Sequence, residues 1–193
     1  MKAIILLATL KEEGPSNTEV LCEFLEGYFK KKKISSEIIR LVRYNIFPGT
    51  CINMGEGDDW PNILEKILSS DIIIFATPIW WNNYSSEMQK VIERLDELHD
   101  EILQGKRSRL EGKVAGIVIT GDSDGAQQII ANLGNFFNAV GLTFPPFTSL
   151  SVLWKGQEKG EKPTRKKLTE KYKKEYSKTA DTMVKQLLKF ARK

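Results

Sequence analysis

Short apolar runs alternate along this chain with stretches in which apolar residues return every third or fourth position. That alternation predicts strands and amphipathic helices in turn. Residues 2–8 read as a first strand. Residues 18–32 read as a helix, with Val20, Phe24 and Tyr28 on one stripe and Leu21 and Leu25 beside it. A second strand is expected at 34–42, where Ile34, Ile38 and Ile39 are β-branched. Residues 43–59 are rich in Gly, Asn and Asp and read as a loop. A short helix at 60–69 places Pro61 in its first turn, and 71–76 is the third strand. The next helix, 86–98, buries Met88, Val91, Ile92 and Leu95. Strand four spans 113–120, and the helix after it, 126–140, stops at Gly141. Strand five is expected to begin at 142–144, with Pro145-Pro146 ending regular pairing. Residues 154–162 read as a polar surface loop, and a basic helix at about 164–190 completes the pattern.

Strand–helix alternation of this kind implies an α/β architecture, a parallel sheet with helices on both faces. Strands three and four are nearly unbroken apolar runs, as expected when both faces of a strand are covered. The 193 residues suffice for one such domain, taken here as 1–193.

Charge modifies this picture in one place. Residues 155–193 hold 14 Lys and Arg against 5 Asp and Glu, a net of +9, so the preceding 154 residues carry −5. A basic tail can mean nucleic acid or an anionic surface. Here Leu168, Tyr172, Tyr176, Ala180, Val184 and Leu188 recur at four-residue spacing. The tail is therefore expected to be a core-packed helix with a solvated basic back. No apolar run approaches the roughly 18 residues of a membrane span. Cys22 and Cys51 are too few for a disulfide framework and lack metal-site spacing, so the cytoplasm is the expected compartment.

The chemistry gathers in three loops, each after a strand, at the edge where open α/β sheets bind ligands. After strand one, Thr9, Lys11, Ser16, Asn17 and Thr18 surround a helix start. There, free N–H groups serve either a side-chain cap or a phosphate. No GxxxxGK[ST] or GxGxxG pattern is present, which argues against ATP, GTP and a tightly held dinucleotide. After strand three comes Thr77-Pro78-Ile79-Trp80-Trp81-Asn82. Its proline and paired indoles suit a planar ring, or else a core or subunit contact. After strand four, Thr120, Gly121, Asp122, Gly125 and Ala126 offer small residues over which backbone can approach a ring. Asp122 and Asp124 have no His, Cys or further carboxylate spaced to complete a metal site. His99 reads as a surface residue, and no GxSxG elbow supports a hydrolase.

Together the three loops resemble the NADPH-dependent FMN reductase branch of the flavodoxin-like superfamily. The resemblance rests on Pro15-Ser16-Asn17-Thr18, on Thr77-Pro78-Ile79-Trp80 with the helix 86–95, and on Gly112-Lys113-Val114-Ala115 with Thr120-Gly121 and Asp124-Gly125-Ala126. It runs from about residue 1 to 146. It implies a three-layer sandwich with sheet order 2-1-3-4-5 and noncovalent FMN. By similarity Thr9, Ser16, Asn17 and Thr18 hold the phosphate. Lys11 stands in for an arginine often found in this loop, which is longer here than the usual Gly-Ser-x-Arg form. Pro78, Ile79, Trp80, Trp81 and Asn82 lie against the isoalloxazine. Thr120, Gly121, Asp122, Gly125 and Ala126 flank its other edge. The implied chemistry is hydride transfer from NADPH or NADH to flavin N5 and then to a second acceptor. The cofactor carries that reaction, so no catalytic acid or base is assigned. Iron–sulfur relatives carry a cysteine cluster after strand two; here Cys51 stands alone, and no metal is expected.

The resulting expectation is an FMN-binding NAD(P)H oxidoreductase acting on a small acceptor: a quinone, a flavin, or a nitro- or azo-aromatic. A homodimer or homotetramer is expected, with no nucleic-acid or membrane partner. Two other readings stay open, a flavodoxin-type electron carrier and a nucleotide-binding regulatory domain. Carriers tend to be acidic so as to dock on basic partners, whereas this chain has a net charge of +4.

Overall fold

The computed structural model describes residues 1–155 and 162–191. Five parallel strands form one sheet: β1 (Lys2–Leu7), β2 (Ser35–Arg40), β3 (Ile72–Pro78), β4 (Val114–Gly121) and β5 (Ser149–Leu153). Their order is β2-β1-β3-β4-β5, the flavodoxin-like order that the resemblance implied. Among the described residues six helices cover the sheet: α1 (Asn17–Lys31), α2 (Trp60–Leu68), α3 (Ser86–Arg94), α4 (Asp96–Leu103), α5 (Ala126–Val140) and α6 (Arg165–Ala191).

Because side chains alternate across a strand, the sheet divides its apolar residues between two cores. Ile4, Leu6, Ile73, Phe75, Ile117 and Ile119 face α2, α3, α4 and α5, packing on Trp60, Met88, Val91, Leu98 and Phe137. Ala3, Ile5, Leu7, Ile72, Ile74 and Val118 face α1 and α6, packing on Leu21, Leu25, Phe29, Tyr172, Met183 and Leu187. The basic tail is thus the long helix α6, with Leu168, Tyr172, Ala180, Val184 and Leu188 buried on the stripe read from their spacing. At Gly116 a Cβ would lie 2.8 Å from the end of Met183, so the missing side chain is what lets α6 settle on β4.

Three boundaries differ from the sequence reading. Strand five does not begin at 142–144. Thr143 makes only an isolated bridge to Val114. Pro145 and Pro146 supply no N–H, and Phe147 takes a left-handed φ of 63°. The chain joins β4 only from Ser149, where burial alternates as on an edge strand instead of forming an apolar run. The helix expected at 86–98 is two helices. α3 closes at Leu95, and Asp96 and Glu97 open α4 with the acidic first turn that suits a helix start. Strand two is shorter than expected and passes into a 3₁₀ turn at Leu41–Arg43. Of the polar loop expected at 154–162, residues 156–161 lie outside the described residues.

Candidate functional site

The carboxyl ends of β1, β3 and β4 border one cleft of about 680 Å³, lined by residues of all three loops. Ser16 caps α1 and takes the Glu19 N–H on its hydroxyl at 3.0 Å. The preceding N–H groups of the first turn have no partner within the helix, and the helix dipole makes their end positive. The Thr18 and Thr120 hydroxyls lie 2.7 Å apart, a buried hydrogen bond that ties this helix start to the end of β4. Such a bond contributes about 1 kcal/mol net. The Tyr172 hydroxyl of α6 donates to the Asn17 carbonyl at 3.2 Å, bracing the same turn from behind. Burial pushes the Tyr172 hydroxyl above its ordinary pKa, so it stays a donor.

The loop between β1 and α1 is held from outside by cations. Arg40, the last residue of β2, donates to the Lys11 carbonyl at 2.9 Å and the Gly14 carbonyl at 2.8 Å, and pairs with Glu19 at 3.1 Å. Arg43 takes the Glu12 carbonyl, and the Lys11 ammonium takes the Pro15 carbonyl. Across a planar trans peptide the next N–H points opposite to the carbonyl. Holding the Lys11 and Glu12 carbonyls thereby turns the following N–H groups away from the arginines.

The β3–α3 loop is built differently. Ser85 caps α3 and donates to the Ala8 carbonyl at 2.6 Å, while the Thr77 hydroxyl accepts the Ser85 N–H at 3.0 Å. Between these anchors Trp80 and Asn83 exchange two backbone hydrogen bonds, at 2.7 and 2.8 Å. The two residues they enclose, Trp81 and Asn82, have φ of 48° and 61°, the pattern of a type I′ turn. Neither indole is core: Trp80 is 50% exposed and Trp81 97%. Gly125 backs this turn with φ of 130°, and a Cβ there would lie 2.7 Å from the Asn82 Cα.

Most of the predicted residues therefore converge. Thr9, Lys11, Ser16, Asn17, Thr18, Pro78, Ile79, Trp80, Trp81, Asn82, Thr120, Gly121 and Asp122 all line the cleft. Gly125 and Ala126 do not; they pack behind the second loop and at the start of α5. Leu10 and Ser123 also line it and were not anticipated. Lys113, part of the motif at the start of β4, is at the other end of the sheet, where its ammonium takes the Leu68 and Ser70 carbonyls. Cys22 is sealed in the core, and burial pushes its thiol up. Cys51 is exposed.

This donor set fits a flavin 5′-phosphate. Hydroxyls and helix N–H groups stand at one end, an apolar wall of Pro78, Ile79 and Trp80 along one side, and close-packed backbone at Gly121, where a Cβ would strike Ile79 at 2.7 Å. The cleft volume also lies in the roughly 300–1,000 Å³ range of small-ligand sites.

Residues 1–153 match the family model described as NADPH-dependent FMN reductase. The chain belongs to that family. The β2-β1-β3-β4-β5 order of the sheet agrees with that membership. The 8-demethyl-8-aminoriboflavin-5′-phosphate synthase of Streptomyces davaonensis is 30% identical to this FMN reductase homologue over 81% of the chain and 64% of the synthase. The chain thus spans slightly less than two thirds of that relative. The NAD(P)H-dependent FMN-containing oxidoreductase YwqN of Bacillus subtilis, so described provisionally, is 28% identical over 83% of the chain and 88% of YwqN. A solved structure of RosB with bound 8-demethyl-8-formylriboflavin-5′-phosphate superposes with a TM-score of 0.80 at 25% identity, covering 100% of the chain and 79% of RosB.

Two features of this reductase-family member were not legible in its sequence. Arg40 fell inside the strand expected at 34–42, with nothing to mark its partners. The 43–59 stretch read only as a loop rich in Gly, Asn and Asp, but Arg94 enters it fully buried and donates to the Phe47, Cys51 and Ile52 carbonyls and to both oxygens of Asp58. Burial pushes the Asp58 carboxyl up. Arg94 and the N–H groups of Met54, Trp60 and Phe47 outweigh that and hold it at about 2, against an ordinary 3.8.

Proposed function

We propose that this protein uses NAD(P)H to reduce bound FMN and passes the reducing equivalents to a small planar acceptor such as a quinone, a free flavin, or a nitro- or azo-aromatic. The observation that carries the reading is the cleft itself. It joins the start of α1, suited to a phosphate, to a wall of Pro78, Ile79 and a half-exposed Trp80, suited to rings. Thr9, Ser16, Asn17 and Thr18, with Lys11 nearby, hold the phosphate. Pro78, Ile79, Trp80, Trp81 and Asn82 lie along the ring system, and Thr120, Gly121 and Asp122 close its other edge. Gly125 and Ala126 act from behind, by letting the β3–α3 turn pack. When bound, FMN supplies hydride acceptance and release; the protein orients it and sets the polarity around it.

The exposed indoles at the mouth support assembly as a homodimer or homotetramer, which sedimentation at several concentrations tests. Among the described residues no helix is long and apolar enough to cross a membrane, in keeping with work in the cytoplasm.

The decisive test is the visible spectrum of the purified protein before and after anaerobic NADPH. Flavin absorbance that bleaches rapidly supports the reductase. Slow or absent bleaching supports an electron carrier. A colourless protein that also fails to bind added FMN refutes the assignment. Similarity to the aminoriboflavin phosphate synthase favours one second reading, in which a flavin 5′-phosphate is the substrate. Mass spectrometry of the flavin recovered after turnover separates the two, since a cofactor returns with its mass unchanged.

A further inference from the structure

Ser16-Asn17-Thr18-Glu19 has the spacing of a capping box, in which the carboxylate of the third helical residue folds back onto the N–H of the cap residue. The structure does not close this box. The Ser16 hydroxyl does its half by taking the Glu19 N–H. The Glu19 carboxylate points the other way, one oxygen on Arg40 at 3.1 Å and the other on Arg165 at 3.3 Å. Arg40 is only 7% exposed and comes from the edge strand β2. Arg165 opens α6 and also pairs with Glu23. Two elements distant in sequence thus converge on one carboxylate in the first turn of α1.

We propose that Arg40 and Arg165 are positioning residues that make the start of α1 an anion site, and that discrimination of FMN from riboflavin depends on them although neither lines the cleft. Left to itself, Glu19 would satisfy the Ser16 N–H and place a negative charge where a phosphate must sit. Held by two guanidiniums, it vacates that N–H and its charge is offset. The grip of Arg40 on the Lys11 and Gly14 carbonyls fixes the loop in the same arrangement. This inference rests on the proposal that the cleft binds FMN by its phosphate.

The test measures dissociation constants of FMN and riboflavin on flavin-free protein by quenching of flavin fluorescence. Arg40→Met is expected to weaken FMN about tenfold, equivalent to about 1.4 kcal/mol, and to leave riboflavin nearly unchanged. Adding Glu19→Ala to Arg40→Met is expected to recover roughly half or more of that loss, because the two residues are coupled. Arg165→Gln, at a more exposed pair, is expected to weaken FMN about threefold. Should Arg40→Met fail to fold, Arg165→Gln with and without Glu19→Ala decides the matter. Equal losses for both flavins, or losses that Glu19→Ala does not recover, would show that the arginines only support the fold and overturn the proposal. Wild-type protein that binds riboflavin as tightly as FMN removes the phosphate site and this inference together. Wild-type protein that prefers FMN, with variants that prefer it equally, removes this inference alone.

Discussion

Arg94 and Arg40 each end a regular element, donate to carbonyls of a neighbouring loop and pair with one carboxylate, yet they sit in different surroundings. Arg94 closes α3 and is wholly buried, as is its partner Asp58. It spends its donors on three carbonyls and both Asp58 oxygens. The 43–59 loop it organises becomes part of the fold, with Trp60 stacked 5.7 Å from the guanidinium. Arg40 closes β2 at the rim. It grips two carbonyls, shares Glu19 with the exposed Arg165, and leaves the other side of its loop facing the cleft. One architecture of arginine, carbonyls and carboxylate thus serves rigidity when sealed, and can serve binding when one side stays open.

Removing Arg94 should give the largest effect. Arg94→Met strands Asp58 in the core and should cost about 3–5 kcal/mol, the usual loss when one partner of a buried pair is deleted. Urea unfolding followed by tryptophan fluorescence reads it directly. A loss no greater than that of Arg40→Met would break the contrast between sealed and open clamps.

A smaller effect should appear with pH. The folded-state pKa of Asp58, about 2, lies below its ordinary 3.8. Its stabilisation is therefore complete above about pH 4 and is lost as the pH falls through about 2. Urea midpoints measured from pH 6 down to pH 2.5 should drop steeply below pH 4 in the wild type. Asp58→Asn should start lower and fall less across that window. Parallel curves for the two proteins would place the acid-sensitive group elsewhere.

The smallest expected change is at Trp81, which holds a left-handed φ with its side chain in solvent. Glycine adopts that φ without steric cost. Trp81→Gly should therefore leave stability unchanged or raise it by up to about 1 kcal/mol, while flavin affinity falls. A thermal melt and a flavin titration on the same sample separate the two. A clear loss of stability would mean that the indole packs on something, such as a second copy of the chain.

The fold was largely legible because its signals are local. Apolar runs at 72–76 and 114–119 mark strands covered on both faces, and the four-residue spacing along α6 marks its buried stripe. Strand five was misplaced because an edge strand covered on one side mixes serine with leucine and valine. A short apolar run before two prolines imitated it more closely than the true strand did. The cleft was legible to the extent that its residues lie at strand ends or in the loops that follow them: Ser16, Pro78, Trp80 and Thr120 could be named because the carboxyl ends of parallel strands gather at one edge of the sheet.

What the sequence by itself determined is therefore the alternation of elements, the edge at which chemistry gathers, and the polar or apolar character of each loop. Tertiary structure decided which groups in those loops are spent and which stay available. Arg40, Arg94 and Arg165 reach partners 21, 36 and 146 residues away, through Glu19, Asp58 and Glu19. Hydrophobic periodicity carries no information about such pairings, because a charged side chain at the end of an element reads the same whether it faces water or a buried carboxylate. Only the packed sheet, by bringing β2 and α6 against the first turn of α1, determines where Glu19 points and so what the start of that helix can bind.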